Sequence, residues 1–78
     1  EKLLIFPNPV SDKLFIQSID ESGSVSIIDF TGKIILENLK TDRAKNGIEM
    51  NQFSPGIYLV RLTSDSGESS YHKFVLVH

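Results

Sequence analysis

The sequence contains no cysteine and no tryptophan, and only two histidines, three prolines and one methionine. Without cysteine it can form neither a disulfide framework nor a thiolate metal site. Nucleophilic catalysis needs a hydroxyl or thiol beside a base, and the candidate bases are His72 and His78. His78 is the last residue, and His72 falls within a strand-like run beside Lys73, where an ordinary surface or edge role is expected. No Gly-x-Ser-x-Gly elbow occurs, and the serines lie in turn segments, where their hydroxyls bond the local backbone. A glycine-rich phosphate loop is also missing, so no cofactor is expected.

Long apolar runs are absent. The longest covers a few residues, against about 20 for a membrane-spanning helix, so no membrane insertion is expected. The opening EKLLIF is too short for a secretory signal peptide, and proline follows at once. A concentrated basic face is lacking too. Lys2, Lys13, Lys33, Lys40, Arg43, Lys45, Arg61 and Lys73 are scattered except around 40–45, and net charge is −2. Nucleic-acid binding needs clustered cations that neutralise several phosphates, so that reading is weak and no nucleic-acid partner is expected.

What remains is a chain of 78 residues, 40% hydrophobic and 23% charged, which is the composition of one small globular domain. Helical periodicity is nearly absent, whereas strand patterns recur. LLIF opens the chain, and KLFIQS (13–18) alternates, with Leu14 and Ile16 on one face. SVSIIDF (24–30) and KIILENL (33–39) flank Thr31 and Gly32, a tight hairpin in which Gly32 supplies a positive φ. IEMNQF (48–53) reads as a weaker strand, and Ser54-Pro55-Gly56 as a type II turn. GIYLVRLTS (56–64), the turn SDSGES (64–69) and YHKFVLVH (71–78) follow.

About seven short strands at such spacing predict an all-β, antiparallel β-sandwich. The polar segment 40–47 is expected to cross between the sheets. The expected core is Leu4, Leu14, Ile16, Val25, Ile27, Ile34, Leu36, Ile48, Met50, Tyr58, Val60, Leu62, Phe74 and Leu76. Phe15, Ile28, Phe30, Ile35, Val75 and Val77 are expected to point outward.

Carboxylates are plentiful, but Asp12, Asp20, Glu21, Asp29, Asp42, Asp65 and Glu68 fall in expected turns, where such side chains bond their own backbone. A sandwich of this size has little room for a cleft holding a catalytic carboxylate pair. Asn8, Asp12, Asp20 and Asp29 are hard oxygen donors and form the one calcium alternative, although nothing in their spacing forces them to converge.

Four segments stand in a distinctive order: FPNPVSDKL, DFTGK, FSPGIYLVRL and YHKFVLVH. Together they resemble the C-terminal sorting domain of the type IX (Por) secretion system of Bacteroidetes-type bacteria, type A, over nearly the whole chain. Pro7, Asn8 and Pro9 match that family's Pro-Asn-Pro, and Asp12 with Leu14 its following acidic residue and strand. Asp29, Gly32 and Lys33 match its Asp-x-x-Gly-Lys hairpin, Pro55 to Tyr58 its Pro-Gly-Ile-Tyr, and Lys73 with Phe74 its Lys-apolar pair. Phe6 stands where the family often has Tyr, Phe53 where Leu is common, and the ending Val-Leu-Val-His replaces a basic terminus.

The resemblance implies an Ig-like sandwich, residues 1–78 being one sorting domain and a fragment of a larger secreted protein. It also implies a non-catalytic address tag that directs an upstream cargo through an outer-membrane translocon to the cell surface or medium. A sortase-like peptidase then removes the tag and attaches cargo to surface lipopolysaccharide. Loops and outward side chains on a rigid sandwich are the natural recognition surface. The candidates are Pro7, Asn8, Pro9, Asp12, Asp29, Lys33, Lys73, Val75 and Val77, whereas Gly32, Pro55 and Gly56 are expected to serve backbone geometry alone. The alternative is a small module binding carbohydrate or an extended peptide, and the lack of tryptophan weighs against a glycan platform.

Overall fold

The computed structural model describes residues 3–18 and 23–77, and over them the alternating segments become seven strands and one helical turn. The strands are β1 (Leu3–Phe6), β2 (Lys13–Ser18), β3 (Ser24–Asp29), β4 (Ile34–Lys40), β5 (Ile48–Glu49), β6 (Gly56–Thr63) and β7 (Ser69–Leu76). The expected positions Asp20, Glu21 and His78 lie outside the described residues.

Two antiparallel sheets form, one ordered β1-β2-β5 and the other β4-β3-β6-β7. This is an all-β sandwich with Ig-like order, in which the fourth strand has moved to the sheet of the third, sixth and seventh. A second Ig-like feature lies at the start of β6. The Tyr58 hydroxyl donates to the Ser54 carbonyl four residues upstream, which pins the connection into β6 as a tyrosine corner does. Tyr58 therefore has a structural reason to follow Pro-Gly.

Between the sheets lie Val10, Leu14, Ile16, Val25, Ile27, Ala44, Ile48, Met50, Tyr58, Val60, Leu62, Phe74 and Leu76. Two expected core residues are instead exposed. Register places Ile5, not Leu4, across from the buried Ile16, so Leu4 turns outward and is 62% exposed. Ile34 pairs with Ile28 on the outer face of the larger sheet. The ladder between β3 and β4 shifts register twice, and Asn38 has φ 59, so strict alternation along β4 breaks. Leu36 and Leu39 thus both pack on the core, as does Ile35, which was expected to point outward. Ile28 does lie on the outer face, but it is buried there between its register neighbours Ile34 and Leu59.

Three connections also depart from expectation. The polar stretch 40–47 does join the two sheets, but it contains the single turn α1 (Thr41–Ala44), which buries Thr41 and Ala44. IEMNQF pairs only over Ile48–Glu49, and a hydrogen-bonded turn follows, with Phe53 N–H donating to Met50 O at 3.2 Å. Pro55 merely bends the chain, while Gly56, at φ 157, opens β6 and pairs with Leu76, so no type II turn forms at Ser54-Pro55-Gly56.

Candidate functional site

The four distinctive segments, far apart in sequence, meet at one end of the sandwich. Register aligns Asp29, Tyr58 and Phe74 across β3, β6 and β7. Just beyond that row, Gly56 pairs with Leu76, and Leu76 forms a parallel bridge with Val10.

The first segment, FPNPV, serves as a stitch. Pro7 and Pro9 have no amide hydrogens, so the chain leaves the β1 ladder at Phe6. Both preceding peptide bonds, Phe6-Pro7 and Asn8-Pro9, are cis. Asn8 accepts a hydrogen bond from the Val75 N–H through its side-chain oxygen at 3.2 Å. Val10 N–H donates to Val75 O at 2.8 Å, and Val77 N–H donates to Val10 O at 2.7 Å. The segment thereby ties the end of the smaller sheet to the edge strand of the larger. The Val10 side chain is fully buried, although nothing in a lone apolar residue between Pro9 and Ser11 marks it as core.

Asn8 thus holds the structure together in addition to any recognition role. Asn8→Ala is expected to lower stability by about 0.5–1.5 kcal/mol, the usual worth of one hydrogen bond, and Asn8→Asp, which keeps an acceptor, by less. Urea unfolding measures both.

The second segment is organised by Asp29. Its Oδ1 accepts from the Thr31 hydroxyl at 2.6 Å, the Thr31 N–H at 2.9 Å and the Lys33 N–H at 3.0 Å. The backbone closes the same turn, with Asp29 N–H donating to Lys33 O at 2.9 Å and Gly32 N–H to Asp29 O at 3.0 Å. Gly32 has φ 93, as the tight turn requires, and an added Cβ there would meet no atom within 4 Å.

The bond from the Thr31 hydroxyl holds the Asp29 carboxyl below its ordinary pKa. The amides of Lys33 and Thr31 and the Lys33 charge assist, and partial desolvation opposes them. A carboxyl depressed in the folded state stabilises the fold above its unfolded pKa and loses that contribution as pH falls through the folded value. The hairpin should therefore stay closed through the usual aspartate range and loosen only in stronger acid. Amide shifts of Thr31 and Lys33 followed through an acid titration are expected to show this, and Asp29→Asn should remove the transition.

Between this hairpin and the approach to β6 lies an open groove of about 350 Å³, lined in part by Phe30, Phe53, Pro55 and Ile57. Phe30 is 80% exposed at its rim. Asp12, Lys33, Lys73, Val75 and Val77 are exposed, and so are Pro7, Asn8 and Pro9. Structure thus brings the FPNP segment together with Val75 and Val77, and sets the Asp29 hairpin beside Pro55 and Gly56. Lys73 stands apart from both groups, midway along the edge strand β7 and across from Leu59. The backbone carbonyl of Asp12 accepts the Met50 N–H at 2.9 Å.

Among the described residues no group of three or more His, Cys, Asp or Glu could hold a metal ion. Of the calcium candidates, the Asn8 oxygen is bonded to Val75, Asp29 Oδ1 is committed to its turn, and Asp20 lies outside the described residues. No helix among them is long and apolar enough to cross a membrane. His72, expected at the surface or an edge, does lie on the edge strand β7, where it is half-buried on the inner face opposite Val60, and its Nε2 has no partner.

Residues 4–77 match the family model for the secretion system C-terminal sorting domain. The chain belongs to that family. It is a C-terminal sorting signal for type IX secretion, from a family of non-enzymatic signal domains. Membership implies interaction with the type IX machinery and delivery to the cell surface or medium. No curated protein and no solved structure gives a significant match. The distinctive residues of this sorting domain fall into two groups. Tyr58, Gly32 and the Asp29 carboxylate shape turns, whereas Lys33, Lys73, Val75 and Val77 leave their side chains exposed.

Proposed function

We propose that residues 1–78 act as one non-catalytic address domain at the C-terminus of a larger exported protein. The outer-membrane translocon of the type IX system reads the folded domain and passes the upstream cargo outward. A sortase-like peptidase then cleaves the tag and attaches the cargo to the surface.

The observation that carries this reading is the family match over residues 4–77, in a fold whose distinctive segments converge on one end of the sandwich. Recognition falls to Pro7, Asn8, Pro9, Asp12, Asp29, Lys33, Lys73, Val75 and Val77. Gly32, Pro55 and Gly56 hold the backbone on which those side chains stand. A folded receptor-facing surface suits this role because loops and exposed strand residues on a sandwich are positioned without further ordering cost.

Fusion of residues 1–78 behind a periplasmic reporter, in a host with the type IX system, is expected to move the reporter to the cell surface or medium. A reporter that stays in the periplasm would overturn the proposal. The isolated domain is expected to show no turnover in hydrolase assays.

A further inference from the structure

The sandwich manages its sheet edges unequally. Exposed edge strands are liabilities that proteins blunt with short length, proline, bulges or covering segments. At one edge of the smaller sheet β1 has four residues and stops at Pro7, and at the other β5 has two. In the larger sheet β4 carries register shifts and the left-handed Asn38. Only β7 is long and regular, pairing with β6 over eight residues without a shift.

Half of that edge is already in use. At Val75 the N–H and C=O both point away from β6, to Asn8 and Val10. The two-residue alternation of a strand turns the N–H and C=O of Tyr71 and Lys73 the same way. There, β7 is the last strand of its sheet, and no described strand pairs with it on the side away from β6.

Two further observations concern the same stretch. On the inner side of β7, Ser70 Oγ and His72 Nε2 are shielded from water and have no hydrogen-bond partner. Buried polar atoms are satisfied in the great majority of native structures, and among the described residues the unpartnered ones are these two and Arg61 Nε on the adjacent β6, so they cluster at the β7 side of the sheet. On the outer side stand Tyr71, which is 56% exposed, and Lys73, with Arg61 across from Tyr71. The outward positions of β3, β6 and β7 include these two cations and no carboxylate, the exposed Glu37 standing on β4 at the far edge of the sheet.

We propose that the open edge of β7, from Ser69 to Lys73, takes an extended acidic protein segment as an added strand. The segment continues the ladder that Val10 begins. Its backbone pairs with Tyr71 and Lys73, and its outward carboxylates meet Lys73 in the field of Arg61. A second copy of this chain fits less well, because edge-to-edge pairing brings two cationic faces together. The inference deepens the sorting role and rests on it only for the source of the segment, a component of the export machinery.

The contact itself is tested without export. The 78-residue chain is titrated with the capped peptide acetyl-Thr-Glu-Thr-Glu-Thr-amide and followed through its backbone amide resonances. Shifts centred on Tyr71 and Lys73 are expected, with affinity about tenfold weaker for the peptide with Lys in place of Glu, as a few exposed ion pairs allow.

Tyr71→Pro removes a donor that the fold does not use, and proline is tolerated on an open edge, so this variant should stay folded and lose the shifts. Lys73→Glu, which leaves every backbone donor in place, should reverse the preference between the two peptides and tests the inference even if the proline variant unfolds. No shift at Tyr71 and Lys73 at millimolar peptide, or equal binding of both peptides, would overturn the inference. So would shifts that depend on protein concentration alone, which would assign the edge to a second copy. None of these outcomes touches the reporter experiment, whose failure would count against the sorting role instead.

Discussion

Phe74→Ala is expected to destabilise the domain by about 3–5 kcal/mol, the usual cost of truncating a buried aromatic side chain to alanine. Phe74 is the largest fully buried side chain and stacks on Tyr58, with ring centroids 5.5 Å apart and planes 17° apart. Its loss opens a cavity between the sheets and removes the support of the ring whose hydroxyl pins the start of β6. Typical stabilities scale to roughly 4–12 kcal/mol for a chain of 78 residues, so this one change removes much of the total. The melting temperature should fall by roughly 4–8 °C for each kcal/mol lost. Phe74→Leu keeps most of the volume and should cost only about 1.5 kcal/mol. Calorimetry of both variants checks the expectation, and equal melting temperatures would refute the stacked core. In the reporter fusion, Phe74→Ala is expected to abolish export through unfolding, while Phe74→Leu should preserve it.

Val10→Asp is expected to be comparably severe. The Val10 side chain is fully buried, its N–H donates to Val75 of β7, and its C=O accepts from Val77 just beyond that strand. A carboxylate placed there has no partner and must take up a proton. Neutralising a group of pKa near 3.9 at pH 7 costs about 4 kcal/mol, before the lost apolar contacts are counted. The folded-state pKa of such a carboxyl is raised, so the penalty is largest at neutral pH and shrinks as pH falls toward the unfolded value, where the unfolded chain binds the same proton. Urea unfolding at pH 7 and near pH 4 should therefore show the variant closing part of its deficit in acid. Wild-type stability at neutral pH would mean that Val10 does not join the two sheets. Both stability tests probe the scaffold and stand apart from the edge-strand binding test.

The strands and two hairpins were legible because period-2 alternation and turn chemistry are local properties. The hairpin at Asp29 forms where Thr31 and Gly32 separate two strand-like runs, and the turn at 64–68 where SDSGES does, with Ser64 N–H donating to Glu68 O. Faces were legible only where alternation is unbroken. Along β6 the inward residues are Tyr58, Val60 and Leu62, as their spacing states. Along β4 the bulged ladder shifts the pattern, and LLIF has no alternation to read, so Ile34 and Leu4 face outward against the expectation from local pattern.

Residues buried by long-range geometry were harder to see. Val10 and Ala44 are buried because distant strands close over them, though the i, i+3 spacing of Thr41 and Ala44, followed by Ile48, was a faint helical signal.

The sequence by itself determined the class of this protein: an all-β sorting domain, with its distinctive segments in order and its turns specified by glycine, proline and aspartate. These are choices made within a few residues of chain, where backbone sterics and side-chain bonds act. Tertiary structure alone decided which of those residues also hold the fold and which carry no such bond. Asn8 is committed to Val75, Asp29 to its own turn and Tyr58 to Ser54, while Lys73 and the open edge of β7 remain exposed. The physical reason is that a hydrogen bond between residues 67 positions apart, like the end of a sheet, exists only once the sandwich has closed.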